Sequence, residues 1–151
     1  MRRREFITLV GSTAITWPLA AHAQQPPNLP IIGYLGAETP AAHSQWTAAF
    51  QQRLRELGWI EGENVAIEYR WADNQQDRLP GLAADLMRRQ VAAIVGAGVP
   101  AAQAGKAATA TTPIVFVIGS DPVRVGLVAS INRPGGNITG ATYLNVEVGP
   151  K

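Results

Sequence analysis

Ser120 and Asp121 stand one glycine beyond a five-residue apolar run, residues 114–118 (IVFVI). A hydroxyl and a carboxylate at the mouth of a buried strand could do acid–base or nucleophilic chemistry. Either role needs a partner, a base for the serine or a second carboxylate. None stands nearby. His43 is the one imidazole beyond residue 23, and it falls in the first turn of a helix, where a solvent-facing position near the cap is expected. There is no cysteine, no carboxylate-rich oxygen cage and no phosphate-loop motif, so no metal and no cofactor are expected. Gly96 and Gly98 hint at a dinucleotide fingerprint, but position 101 is Ala and the third glycine is missing. The residues therefore point away from an enzyme. Ser120 and Asp121 are read more economically as capping the turn that follows. A further reading suits the position better still. Exposed backbone N–H groups at residues 99–101 and 121–123 could receive the carboxylate of a small ligand, although Pro100 and Pro122 donate none.

Such corners need a sheet to hold them. Residues 31–35 (IIGYL) read as a first buried strand. Residues 41–58 follow as a helix with Trp46, Phe50, Leu54 and Leu57 on one stripe and Gly58 as its left-handed cap. Core packing is the expected role of Trp46, with a wall of a ligand cleft as the alternative. Residues 65–71 (VAIEYRW) alternate as a strand near a sheet edge, with Glu68 and Arg70 a solvated pair on its polar face. Asp77 is expected to cap a second helix with stripe residues Leu79, Leu82, Ala83, Leu86 and Met87. That helix ends at Arg88-Arg89, where its dipole favours cations. A third strand at 91–95, a small-residue helix at 101–110, a fourth strand at 114–118, a helical segment at 123–131 and a fifth strand at 138–143 complete the pattern. The alternation implies an α/β fold, a parallel doubly wound sheet with right-handed crossovers and default strand order 2-1-3-4-5.

The N-terminus reads as a targeting segment. Arg2-Arg3-Arg4 is a basic start, residues 6–20 are mildly apolar, and Ala21-His22-Ala23 is a small-residue cleavage site. Two arginines, a spacer, Phe6 and Ile7 suit the twin-arginine export route. Residues 24–30 form a polar, Pro-rich leader. Cleavage after Ala23 removes three Arg and one Glu and leaves ten charges of each sign. The isoelectric point of about 9.4 thus overstates the basicity, and nucleic acid is not an expected partner. The expected location is the periplasm.

Several stretches carry a family resemblance: residues 1–25, IIGYLG, FQQRLRELGWIEGENVAIEYRWA, RLPGLAADL, and the long run from Pro100 to Gly140. Together they resemble ABC-transporter substrate-binding proteins of the tryptophan/tyrosine-uptake-like type, which are type I periplasmic binding proteins. Gly81 and Gly96 depart from the residues usual there. The resemblance implies two α/β lobes closing on a small ligand, an amino acid among the known cases, for delivery to an ABC permease. By position, the first-lobe ligand residues would be Leu35, Gly36, Ala37 and Glu38, then Gly98, Val99, Pro100 and Ala101, then Gly119, Ser120, Asp121 and Pro122. Members are about twice this long. Residues 31–143 would therefore be the N-terminal lobe alone, with 144–151 beginning the crossover to a second. The competing expectations are a non-functional fragment, whose exposed edges invite self-association, and a small flavodoxin-like cofactor-binding protein.

Overall fold

The computed structural model describes residues 28–143. The export segment, all but the last residues of the leader and the segment 144–151 lie outside them. Five parallel strands form one sheet: β1 (Ile31–Gly36), β2 (Ala66–Trp71), β3 (Ala93–Ala97), β4 (Ile114–Ile118) and β5 (Ile138–Thr142). Their spatial order is 2-1-3-4-5, as the alternation implies. Three helices connect them: α1 (Ser44–Glu56), α2 (Leu79–Arg88) and α3 (Val99–Ala108).

Helices α2 and α3 pack on one face, over the main core. Leu35, Leu79, Ala83, Leu86, Ile94, Ala101, Ala102, Ile114, Ile118 and Leu127 are buried there. Burying each of the larger aliphatic side chains is worth about 1.5–3 kcal/mol, so this face supplies most of the driving force. The other face is covered only at one side. Helix α1 lies over Tyr34, Val95 and Ala97, with Phe50 packed against them, and contributes no fully buried residue. Beyond its reach Val115 and Val117 of β4 remain 40 % and 36 % exposed.

Several elements differ from their sequence expectation. Helix α1 begins at Ser44 because residues 40–43 form a separate turn, in which Thr39 Oγ1 accepts from the Ala42 N–H at 3.3 Å. Asp77 does not cap α2. It lies in a 3-10 turn, Gln76–Arg78, that runs directly into the helix and makes a side-chain cap unnecessary. Strand β3 sits two residues later than expected, since Gln90 turns with φ 54° and the Ala92 N–H already donates to Ile31 O. No helix forms over 123–131. Turns replace it, with Leu127 and Val128 tucked into the main core.

Glu68 and Arg70 are not a lone solvated pair. The Arg70 guanidinium is 2.8 Å from Asp85 of α2 and 3.1 Å from Glu68, while Arg88 reaches Asp85 and Arg89 reaches Glu68, each at 2.9 Å. This network ties the edge strand to α2. The hydrogen bond from Arg70 holds the Asp85 carboxyl below the usual carboxylate range. The two arginines that close α2 thus pair with carboxylates as well as facing the helix terminus.

Gly96 explains how α3 comes so close to the sheet. A Cβ there would lie 2.8 Å from the Ala102 backbone Cα. Gly81, by contrast, faces open space. Gly96→Val should therefore destabilise the fold by about 1–3 kcal/mol through forced displacement of α3. The check is a lower urea midpoint with an unchanged denaturant slope; an unchanged midpoint would contradict the close approach.

Candidate functional site

A cavity of about 550 Å³ opens at the carboxyl ends of the strands, on the α1 side of the sheet. Its size is that of a small-molecule site. The place follows from topology. The loop after β1 leads to α1 on one face, and the loop after β3 leads to α3 on the other, so the two diverge and leave a gap.

Each wall has a local cause. Tyr34 alternates onto the α1 face of β1, where Phe50, Tyr69 and Trp71 stand with ring centroids 5.8, 5.5 and 5.3 Å away. Only Tyr34 and Phe50 of these four line the cavity. Trp46 forms the outer lip. It is not packed in the core but 52 % exposed, and it stacks on Tyr143 at 5.9 Å and 16°. Its expected role in the core fails because the α1 stripe overhangs the covered part of the sheet. Gly119 makes room for this arrangement, since a Cβ there would come 3.0 Å from the Tyr143 ring. Helix α3 presents its N-terminus. Gly98 is the cap at φ 91°, with no side-chain cap bond, and Val99 and Ala101 carry the amide groups of the first turn. Pro100 donates none.

His43 is not solvent-facing. Its side chain is 16 % exposed, its ring lies 5.5 Å from Trp71, and Nε2 is 3.3 Å from Glu38 Oε2. Nδ1 is buried without a partner. A proton on Nδ1 would be orphaned, so the neutral ring carries its proton on Nε2, toward Glu38.

Of the twelve residues named by position, Ala37, Glu38, Gly98, Val99, Pro100 and Gly119 line the cavity. The others lie elsewhere. Leu35 and Ala101 are fully buried in the main core. Gly36 lies under the Trp71 ring, which a Cβ would meet. Asp121 accepts from the Val123 and Arg124 N–H groups at 2.8 and 3.3 Å through Oδ1, the turn-fixing role its sequence context favours. Those amides are therefore engaged, and Pro122 is buried. Ser120 is half-buried outside the lining.

Seven lining residues were not singled out in the sequence: Tyr34, Val95, Ala97, Val117 and Tyr143 on the strands and their ends, and the polar Asn74 and Gln76. The last two come from the loop after β2, where Asp73 and Asn74 are consecutive non-glycine residues at φ 53° and 63°. The polar run ADNQQD signals a loop, but its left-handed pair becomes visible only once it bonds to the loop after β1. Among the described residues no group of three or more metal-ligating side chains occurs.

Burial, with smaller contributions from neighbouring Tyr69 and Tyr143, pushes the Tyr34 phenol up to about 12. A phenol exposed on unfolding titrates near pH 10. The folded state thus keeps its proton longer, and the contribution of Tyr34 is full below pH 10 and lost as pH rises toward 12. Burial raises Tyr69 as well, so tyrosinate absorbance of the native protein should show late titration that Tyr34→Phe reduces but does not abolish.

Comparison with known proteins places the chain. The family model described as ABC transporter substrate binding protein matches residues 38–147. A curated relative from Clostridioides difficile (strain R20291), named tyrosine-binding protein, is 32 % identical over 99 residues, covering 65 % of this chain and 29 % of the relative. Among solved structures, a ligand-free, open substrate-binding protein with adhesive properties from Clostridium difficile aligns with TM-score 0.72 at 28 % identity, covering 77 % of this chain and 39 % of its own. The ABC domain in complex with L-Trp from Streptococcus pneumonia aligns with TM-score 0.70 at 27 % identity, covering 76 % and 38 %. This chain thus spans well under half the length of these relatives. Its five-stranded sheet is that of one lobe of such a binding protein, and the chain belongs to the ABC transporter substrate binding protein family.

Proposed function

We propose that this chain provides the first lobe of an exported solute receptor for an ABC importer, and that its cavity holds one side of an aromatic amino acid. The observation that carries the reading is the lining itself: Tyr34, Trp46, Phe50 and Tyr143 around a gap that ends at the free N-terminus of α3. An aromatic side chain would lie against these rings, gaining area burial and favourable ring geometry. Its carboxylate would meet the Val99 amide, at the positive end of the helix dipole. The names of the tyrosine-binding relative and of the L-Trp complex support the same class of ligand. Ala37, Glu38, Gly98, Val99, Pro100 and Gly119 are the positional residues retained in this role. Leu35, Gly36, Ala101, Ser120, Asp121 and Pro122 act by shaping the strand ends and turns behind them.

One lobe covers one side of a ligand, and buried ligands lose most of their surface to solvent only between two. Binding by the 151-residue chain is accordingly weak, in the millimolar range expected of a few kcal/mol (about 4 kcal/mol). Titration of the isotopically labelled chain with L-tryptophan and L-tyrosine should shift the amide signals of Gly98, Val99 and Gly119 in a saturable way. Trp46→Ala should weaken that binding about tenfold, the loss of one aromatic contact. Saturable binding of L-leucine as tight as that of L-tryptophan would contradict the aromatic reading.

Export and membrane delivery complete the proposal. The basic start, the mildly apolar stretch and the Ala21-His22-Ala23 site support secretion to the periplasm, and docking to a permease belongs to the two-lobed protein. The open valine face on β4 favours self-association of a lone lobe. Protein recovered from a periplasmic fraction should begin at Gln24 by mass and show a concentration-dependent mass by light scattering. An intact Met1 there would overturn the cleavage, and a constant monomer mass would overturn the association.

A further inference from the structure

Glu38 is the one acidic side chain lining the cavity among the described residues, and no Lys or Arg lines it. Its side chain is 56 % exposed, so it is open to a ligand, while its backbone is held in place. The Glu38 carbonyl accepts from the Asp73 N–H at 3.2 Å, and the Ala37 carbonyl accepts from the Asn74 N–H at 3.0 Å. Those two donors are the left-handed pair at φ 53° and 63°. Arg78 fixes the same turn, donating to the Asp73 carboxylate at 2.8 Å and to Ala72 O at 3.4 Å. Backbone held in this sparsely populated region persists where the surroundings impose it, commonly at ligand clamps. From the other side His43 Nε2 stands 3.3 Å from Glu38 Oε2 and is itself wedged against Trp71.

We propose that Glu38, clamped by the loop after β2, is the group in this lobe that reads a ligand's primary ammonium, and that the cavity therefore selects ring-bearing cations and zwitterions over ring-bearing anions. The proposal rests on the aromatic-ligand reading above and adds a charge preference to it. Two features act together. The Glu38 carboxylate, carried on a clamped loop, attracts a cation directly. The faces of Tyr34, Trp46, Phe50 and Tyr143 carry negative charge density and add cation–π attraction. Against an anion the same cavity offers only uncharged donors, the Val99 amide and the side-chain amides of Asn74 and Gln76, with Glu38 repelling it. The ammonium would accordingly point toward the β1 loop and the ring toward Trp46.

The test is titration of the labelled 151-residue chain with three ligands sharing one ring: tryptamine, indole-3-propionate and neutral indole. Tryptamine should bind at least fivefold more tightly than indole-3-propionate. Glu38→Gln should weaken tryptamine about tenfold while leaving indole unchanged and indole-3-propionate equal or tighter; Glu38→Asp should recover part of the loss. An unaltered amide spectrum outside the loops at residues 37–43 and 72–76 establishes that each variant is folded. Equal effects of Glu38→Gln on the amine and the acid would overturn the charge preference, as would equal affinities in the parent chain. In both cases saturable binding of indole leaves the aromatic reading standing. Failure of all three ring compounds to bind would overturn both.

Discussion

The chain reverses direction across the sheet between β1 and β3, and most of what matters follows from that reversal. Building outward from β1 to β2 sends α1 over one face. Returning past β1 to β3 and β4 sends α2 and α3 over the other. Right-handed crossovers permit no other placement of the helices. The loops after β1 and β3 must therefore part company at neighbouring strand ends. The space between them cannot be filled by either helix, and it is the cavity.

The two faces divide the work. The α2–α3 face is aliphatic, closely packed and edged by the ion-pair network from Arg70 to Asp85. Gly96 lets α3 approach, which brings its N-terminus level with the strand ends. The α1 face is aromatic and only partly covered. Phe50 of α1 meets Tyr34, Tyr69 and Trp71 of the sheet in a cluster of rings, and the Trp46–Tyr143 pair lies at its outer side. A sheet face packed by rings with a gap beside it is suited to receiving another ring. Stability thus comes mainly from one face and recognition from the other, which keeps the recognition side free of the core's packing demands.

The loop after β2 links these two functions. Its left-handed turn hydrogen-bonds to the backbone of the loop after β1, so the edge strand supports a side chain that its neighbour carries. His43 braces the same carboxylate from the start of α1. The distant loop after β2 and the nearby His43 thus converge on Glu38, and neither segment contains a motif.

The sequence by itself determined the fold class and the strand order. Apolar runs near five residues long alternate with amphipathic helices, and short connections leave little topological choice. It also pointed to the turn-capping role of Asp121, which depends only on residues two and three positions away. Local physics decides such features, and local physics is legible in a string of residues. Tertiary structure alone decided which loop residues face the cavity, because a one-residue difference in register sends Leu35 into the core and Tyr34 to the site. It decided that Trp46 forms a lip, since the stripe of a helix does not reveal where the sheet beneath it ends. It placed His43 against Trp71, and Asn74 beside the loop that carries Glu38, through contacts that span tens of residues. Periodicity reports which face of an element is apolar. What that face meets is set by the positions of all the others.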